Sequence, residues 1–92
     1  MRLTNDLLIS YNELNKLEGV DKLTLNQKLA ASHFIFALGI GSFTKSTIYK
    51  HIRKGNIDKI KEHHFTAWCR INGKKNKNLI KMRKFEYNLW LK

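Results

Sequence analysis

The chain has 92 residues, 42% of them hydrophobic and 27% charged, and its eighteen Lys and Arg against seven Asp and Glu leave a net charge of +11. That length suits one small domain, since roughly 60% of the unfolded surface is buried on folding at this size and a second core would have too little left to bury. The longest apolar run, 34–40, is far short of the ~20 residues of a membrane span, and a lone cysteine, Cys69, excludes an internal disulfide and a Cys-rich zinc site.

The opening segment, Met1 to Asp6, meets an acid early and holds no apolar stretch, so no secretory leader is expected and residence should be cytoplasmic. Five glycines and no proline then divide the chain into helical lengths. Leu7, Leu8, Tyr11, Leu14 and Leu17 recur along one stripe, which predicts a helix over 5–18 capped by Thr4 or Asn5. Ile9 falls on the opposite face, as an isolated exposed residue or part of an interface. Thr24-Leu25-Asn26-Gln27 has the form of a capping box. Behind it Leu29, Ala30, Ala31, Phe34, Ile35, Phe36, Ala37 and Leu38 are apolar on nearly every side, so 25–38 is predicted as a central helix buried all round. His33 within it reads as a core or half-buried histidine holding one hydrogen bond, rather than as a ligand or switch.

Gly39-Ile40-Gly41 ends that helix in a tight bend, after which Ser42 or Thr44 caps a third helix running through Ile48, Tyr49 and Ile52 to Gly55. Asn56 caps a short helix over 57–63, and 65–70 adds a turn or two anchored by Trp68. The polar stretch 72–78 reads as an exposed loop, and Leu79, Ile80, Met82, Phe85, Leu89 and Trp90 as a last helix reaching Leu91. No segment alternates in the manner of a strand, so a sheet is not expected. The fold class is all-α, a single domain over 1–92 with about five helices around a buried central one, and Phe34, Phe36, Trp68 and Trp90 in the core.

Charge is unevenly spread. Residues 1–44 balance four basic residues with four acids, whereas 45–92 set fourteen basic residues against Asp58, Glu62 and Glu86 and carry the whole excess of +11. A field of that sign draws nucleic acid, anionic cell-wall polymer, an acidic protein or a membrane surface. The candidate binding residues are Arg70, Lys74, Lys75 and Lys77 in or beside the polar loop, with Lys81 and Lys84 continuing from it along the last helix. Arg53 and Lys54 form a second basic point at the end of the third helix, where cations suit the helix dipole. No aromatic residue is interleaved in the loop for base stacking.

Catalytic and metal constellations are not evident. The acids are scattered, and the nearest grouping, Glu13, Glu18 and Asp21, reads as solvated charge. Adjacent helical residues point about 100° apart, so His63 and His64 do not make a zinc site without further ligands. Cys69 reads as a half-buried thiol, and Gly39-Ile40-Gly41 lacks the strand and lysine of a phosphate loop. No metal or cofactor is expected.

Leu23-Thr24-Leu25-Asn26-Gln27, Ala30, Phe34, Phe36, Gly39-Ile40-Gly41, Phe43 and Ser46-Thr47, followed by Gly55, Phe65, Trp68, Gly73 and the stretch from Leu79 through Arg83 and Glu86 to Leu89, stand in an order and spacing that resembles the phage-type lysozymes, the muramidases of bacteriophage endolysins. The resemblance covers 5–91 and implies a phage or prophage origin and the all-helical C-terminal lobe of that family. The glutamate, aspartate and threonine that the family carries in its N-terminal lobe, with the Gly-Tyr-Gly-His stretch, have no counterpart here. The Asn typical before the bend is Ala37, and the first of a usual Arg pair is Met82, leaving Arg83 and Glu86 as an exposed structural pair.

The expectation that follows is a non-catalytic protein. It is a phage or mobile-element inhibitor docking its basic face on an acidic host protein or protein–RNA complex, as an anti-CRISPR would on an RNA-guided defence nuclease. The alternative is a peptidoglycan-binding remnant or half of a split lysozyme. Direct contact with nucleic acid or anionic cell wall stays open, whereas membrane insertion does not.

Overall fold

The computed structural model describes residues 5–68, 70–71 and 73–92. Thr4 as a helix cap, Cys69 as a half-buried thiol and Asn72 as a loop residue therefore lie outside the described residues. Among those described there are six α-helices and one short hairpin: α1 (Asn5–Asn15), α2 (Leu25–Leu38), α3 (Ile40–Lys45), α4 (Thr47–Arg53), α5 (Glu62–Thr66), β1 (Arg70–Ile71), β2 (Lys74–Lys75) and α6 (Lys77–Leu91). Single 3-10 turns at Val20–Lys22 and Ile57–Lys59 join α1 to α2 and α4 to α5.

The capping box forms as expected: Thr24 Oγ1 accepts the Gln27 amide at 3.1 Å, and Gln27 Oε1 accepts the Thr24 amide at 2.9 Å. From that start α2 runs through the middle of the molecule, packing mainly on α1 and α6. Phe34 is its fully buried centre, with edge-on ring contacts to Phe43, Phe65 and Trp68 at centroid distances of 5.8, 6.3 and 5.7 Å. Leu14, Ala31, Ile48, Ile52, Ile60 and Trp90 belong to the same core, and Trp68 packs against it half-buried. Large rings bury much apolar area each and favour such edge-on contacts.

Several boundaries differ from expectation. Burial of α2 is one-sided, for Phe36 remains 52% exposed. Apolar residues on nearly every side of a helix do not guarantee a neighbour on every side. Gly39, at φ +91°, closes α2 by donating to the Ile35 carbonyl at 2.7 Å, and its own carbonyl accepts the Phe43 amide at 3.2 Å. One residue thus ends α2 and begins α3, so helix resumes at Ile40 where a bend was expected. Only glycine takes that backbone region without strain. Ser46, rather than Ser42 or Thr44, caps α4, its Oγ accepting the Tyr49 amide at 3.2 Å. The expected helix over 57–63 is instead a 3-10 turn followed by α5, and Asn56 makes no side-chain cap.

The polar loop is in part a hairpin, with Arg70 paired antiparallel to Lys75 and Ile71 to Lys74. A two-residue ladder is too short to leave an alternation in the sequence. It delivers the chain to Asn76, whose Oδ1 accepts the amides of Asn78 and Leu79 at 2.9 and 3.1 Å and starts α6 two residues earlier than the apolar pattern predicted.

Candidate functional site

The basic residues predicted from sequence do not form one patch. Lys75 of β2 and Lys84 of α6 line a common groove with Glu62, His63, Thr66 and Ile80. Lys74, Lys77 and Lys81 are exposed nearby, and the spacing of Lys77, Lys81 and Lys84 keeps them on one side of α6. Arg70 belongs to β1. Arg53 and Lys54 line a separate recess with Lys50 at the C-terminal end of α4. There Arg53 Nη2 lies 3.7 Å from the Glu18 carboxylate and its guanidinium 6.0 Å from the Tyr49 ring centroid. An exposed pair of that length holds little energy.

A shallow depression that sequence reasoning did not assemble lies between α1 and α2, lined by Asp6, Ile9, Glu13, Phe36 and Ile40. Asp6 and Glu13 are seven residues apart, two turns, so both face the same way about 10.5 Å apart along the helix axis. Between them Ile9 and Phe36 offer an apolar floor, 56% and 52% exposed. Carboxylates accept hydrogen bonds from hydroxyls, and an aromatic or aliphatic face packs against the C–H face of a ring. A depression with both suits a sugar. The signal available in sequence was Ile9 on the outer face of α1, together with Asp6 and Glu13 in register with it.

Arg83 and Glu86, expected as an exposed pair, are fully buried instead. Arg83 Nη2 donates to Glu86 Oε2 at 2.8 Å, and the same oxygen meets Nδ1 of His33, the half-buried histidine of α2. The guanidinium lies 5.5 Å from the Phe34 ring centroid, so its flat face packs on the core while its charge is spent on the carboxylate. Burial turns a pair worth a few tenths of a kcal/mol into one whose partners depend on each other. Held between Arg83 and His33, Glu86 pins α6 to α2 and is not placed to reach a ligand.

A third grouping joins α4 to α5. His51 and His64 meet with ring centroids 5.2 Å apart, and His63 and His64 with centroids 4.1 Å apart. Nδ1 of His64 accepts the Lys61 amide at 2.9 Å. Desolvation first, then the neighbouring His63 and His51 rings, pull the His64 pKa below that of an ordinary histidine. Among the described residues no group of three or more His, Cys, Asp or Glu is arranged to hold a metal ion.

The phage lysozyme family model matches residues 1–86. The chain belongs to the phage lysozyme family. A SAR-endolysin of Escherichia phage Mu is similar to it, 33% identical over 88 residues that make up 96% of this chain and 50% of that protein. The chain thus spans about half the length of the curated relative it matches.

The reach of the family match corrects the expectation of an isolated C-terminal lobe stripped of its catalytic region. With it goes the expectation of a non-catalytic, anti-CRISPR-like inhibitor and the exclusion of enzymatic work. That expectation leaned on a missing motif and a one-sided charge. Excess positive charge serves a lysozyme facing an anionic wall as well as it serves an inhibitor, so it could not separate the two. No helix among the described residues is long and apolar enough to cross a membrane.

Proposed function

We propose that this chain works in the hydrolysis of bacterial cell-wall glycan. The family match over residues 1–86 carries the proposal, supported by the Mu relative, an endolysin by name. In this reading the α1–α2 depression receives a sugar ring, with Phe36 and Ile9 under it and Asp6 and Glu13 accepting from its hydroxyls. Asp6 and Glu13 line the same depression. The basic groove at Lys75 and Lys84 and the exposed Lys74, Lys77 and Lys81 draw the anionic wall toward it, with Arg70 of β1 and the recess at Arg53 and Lys54 adding to the same field.

Incubation with purified insoluble peptidoglycan tests this directly. The protein should sediment with the glycan and generate new reducing ends. Phe36→Ala, and Asp6→Asn with Glu13→Gln, should each lower binding about tenfold, the effect of ~1.4 kcal/mol. A protein that stays in the supernatant at low salt and releases no reducing ends would overturn the proposal.

A further inference from the structure

The α4–α5 junction gathers three imidazoles that a role in glycan hydrolysis does not use. α5 is only five residues long, and its first turn is held by a side chain, since His64 Nδ1 accepts the Lys61 amide at 2.9 Å. A neutral imidazole has one acceptor nitrogen, so this bond places the hydrogen of neutral His64 on Nε2. A second proton can then land only on Nδ1. Donor would face donor, and the bond would be lost.

The surroundings amplify that conflict. His51 of α4 stands edge-on to His64, and its own Nδ1 is buried without a protein partner. The His63 ring also lies against His64, tilted, with centroids 4.1 Å apart. The charged groups on the elements packed around α5 are mostly cationic: Lys50, Arg53 and Lys54 on α4, Lys61 beside the cap, and Lys75 and Lys84 across the groove, with Glu62 and Asp58 as the nearby acids. The same tautomer argument weighs against a metal site, because the Nδ1 lone pair of His64 is already engaged.

We propose that His64 is a pH-sensitive latch on α5: neutral, it closes the first turn of the helix, and on acidification its protonation releases that turn together with the groove lined by His63, Thr66, Lys75 and Lys84. The lowered native pKa gives the sign. Unfolded His64 takes up its proton near 6.5 and the native ring only at lower pH, so over that interval the unfolded chain binds more protons. Stability is therefore full above about 6.5 and falls as pH drops toward the native pKa.

The chain itself supplies the control. At the start of α2, Gln27 Oε1 accepts the Thr24 amide at 2.9 Å in the same position that His64 occupies in α5, so His64→Gln keeps the cap and removes the titration. The measurement is the Lys61 amide proton shift by NMR, followed with the His64 ring signals from about pH 8 to about pH 5. In the natural chain the Lys61 amide should move upfield in step with the His64 titration, with a midpoint below 6.5. In His64→Gln it should stay still, and in His51→Gln the midpoint should rise. An amide shift that ignores the His64 titration overturns the proposal, as does an equal shift in His64→Gln. Should His64→Gln fail to fold, an unmoved midpoint in His51→Gln overturns it instead.

Discussion

Phe34 and Phe36 stand two residues apart on α2, yet one is fully buried and the other half in solvent. Phe34→Ala removes a ring with three aromatic neighbours and should cost about 3–5 kcal/mol, a large share of the ~5–15 kcal/mol expected for a domain of this size. Phe36→Ala should change stability by no more than about 0.5–1 kcal/mol while weakening glycan binding. Urea unfolding of the two variants side by side separates core from site. The Arg83–Glu86 pair makes a second contrast. Glu86→Leu strands a fully buried guanidinium and should cost about 3–5 kcal/mol, whereas adding Arg83→Met should recover most of that loss. His33 does not spoil the double variant, because its ring is 20% exposed and can turn to water.

Between elements, stability depends on how each helix is started and where the connections touch. Thr24→Ala and Asn76→Ala each leave the opening amides of a long helix without a side-chain acceptor and should lower stability by about 1 kcal/mol. The link from α1 to α2 has a tighter constraint. Gly19 sits at φ +88°, and a Cβ placed there would lie 3.2 Å from the Ile52 carbonyl oxygen and 3.3 Å from Arg53 Cα, near the end of α4. Both neighbours are backbone and cannot swing aside. Tyr49 OH reinforces the same approach by donating to the Glu18 carbonyl at 3.1 Å. Gly19→Ala should therefore cost about 1–3 kcal/mol, more than an ordinary loop substitution, and thermal unfolding would show it.

At the scale of the whole molecule, a chain of +11 folded to a radius of gyration of 12.2 Å carries a strong positive field. Exposed charges act over a Debye length of about 8 Å at physiological ionic strength, so retention on anionic wall material should fall as salt rises. Lys75→Glu with Lys84→Glu should lower that retention more than Lys50→Glu with Lys54→Glu, because the first pair borders a groove that also offers Thr66 and His63. Sedimentation with peptidoglycan over a salt series compares them. Equal loss in both variants would show that overall charge, and not the groove, is what binds.

Periodicity and capping signals are local, and what depends on them was legible without coordinates: the helical class, the α2 start at Thr24, the end of α2 at Gly39, and Phe34 and Trp90 in the core; that His33 holds a hydrogen bond was also legible, though whether it lay in the core or half-buried was not. The ordered motifs from Leu23 to Leu89 also pointed to the phage lysozyme family. How far the chain shares that family's work was misjudged from a missing motif, since net charge and motif gaps do not distinguish partners. Burial of each helix face depends on what packs against it, and here α6 turned a pattern of basic surface positions inward at Arg83 and Glu86 while no helix covered Phe36. The meeting of His51 with His64, and of Asp6 and Glu13 with Phe36, likewise joins residues far apart in the chain. Only the tertiary structure decides such contacts, because they are set by crossing geometry and burial, which no single segment encodes.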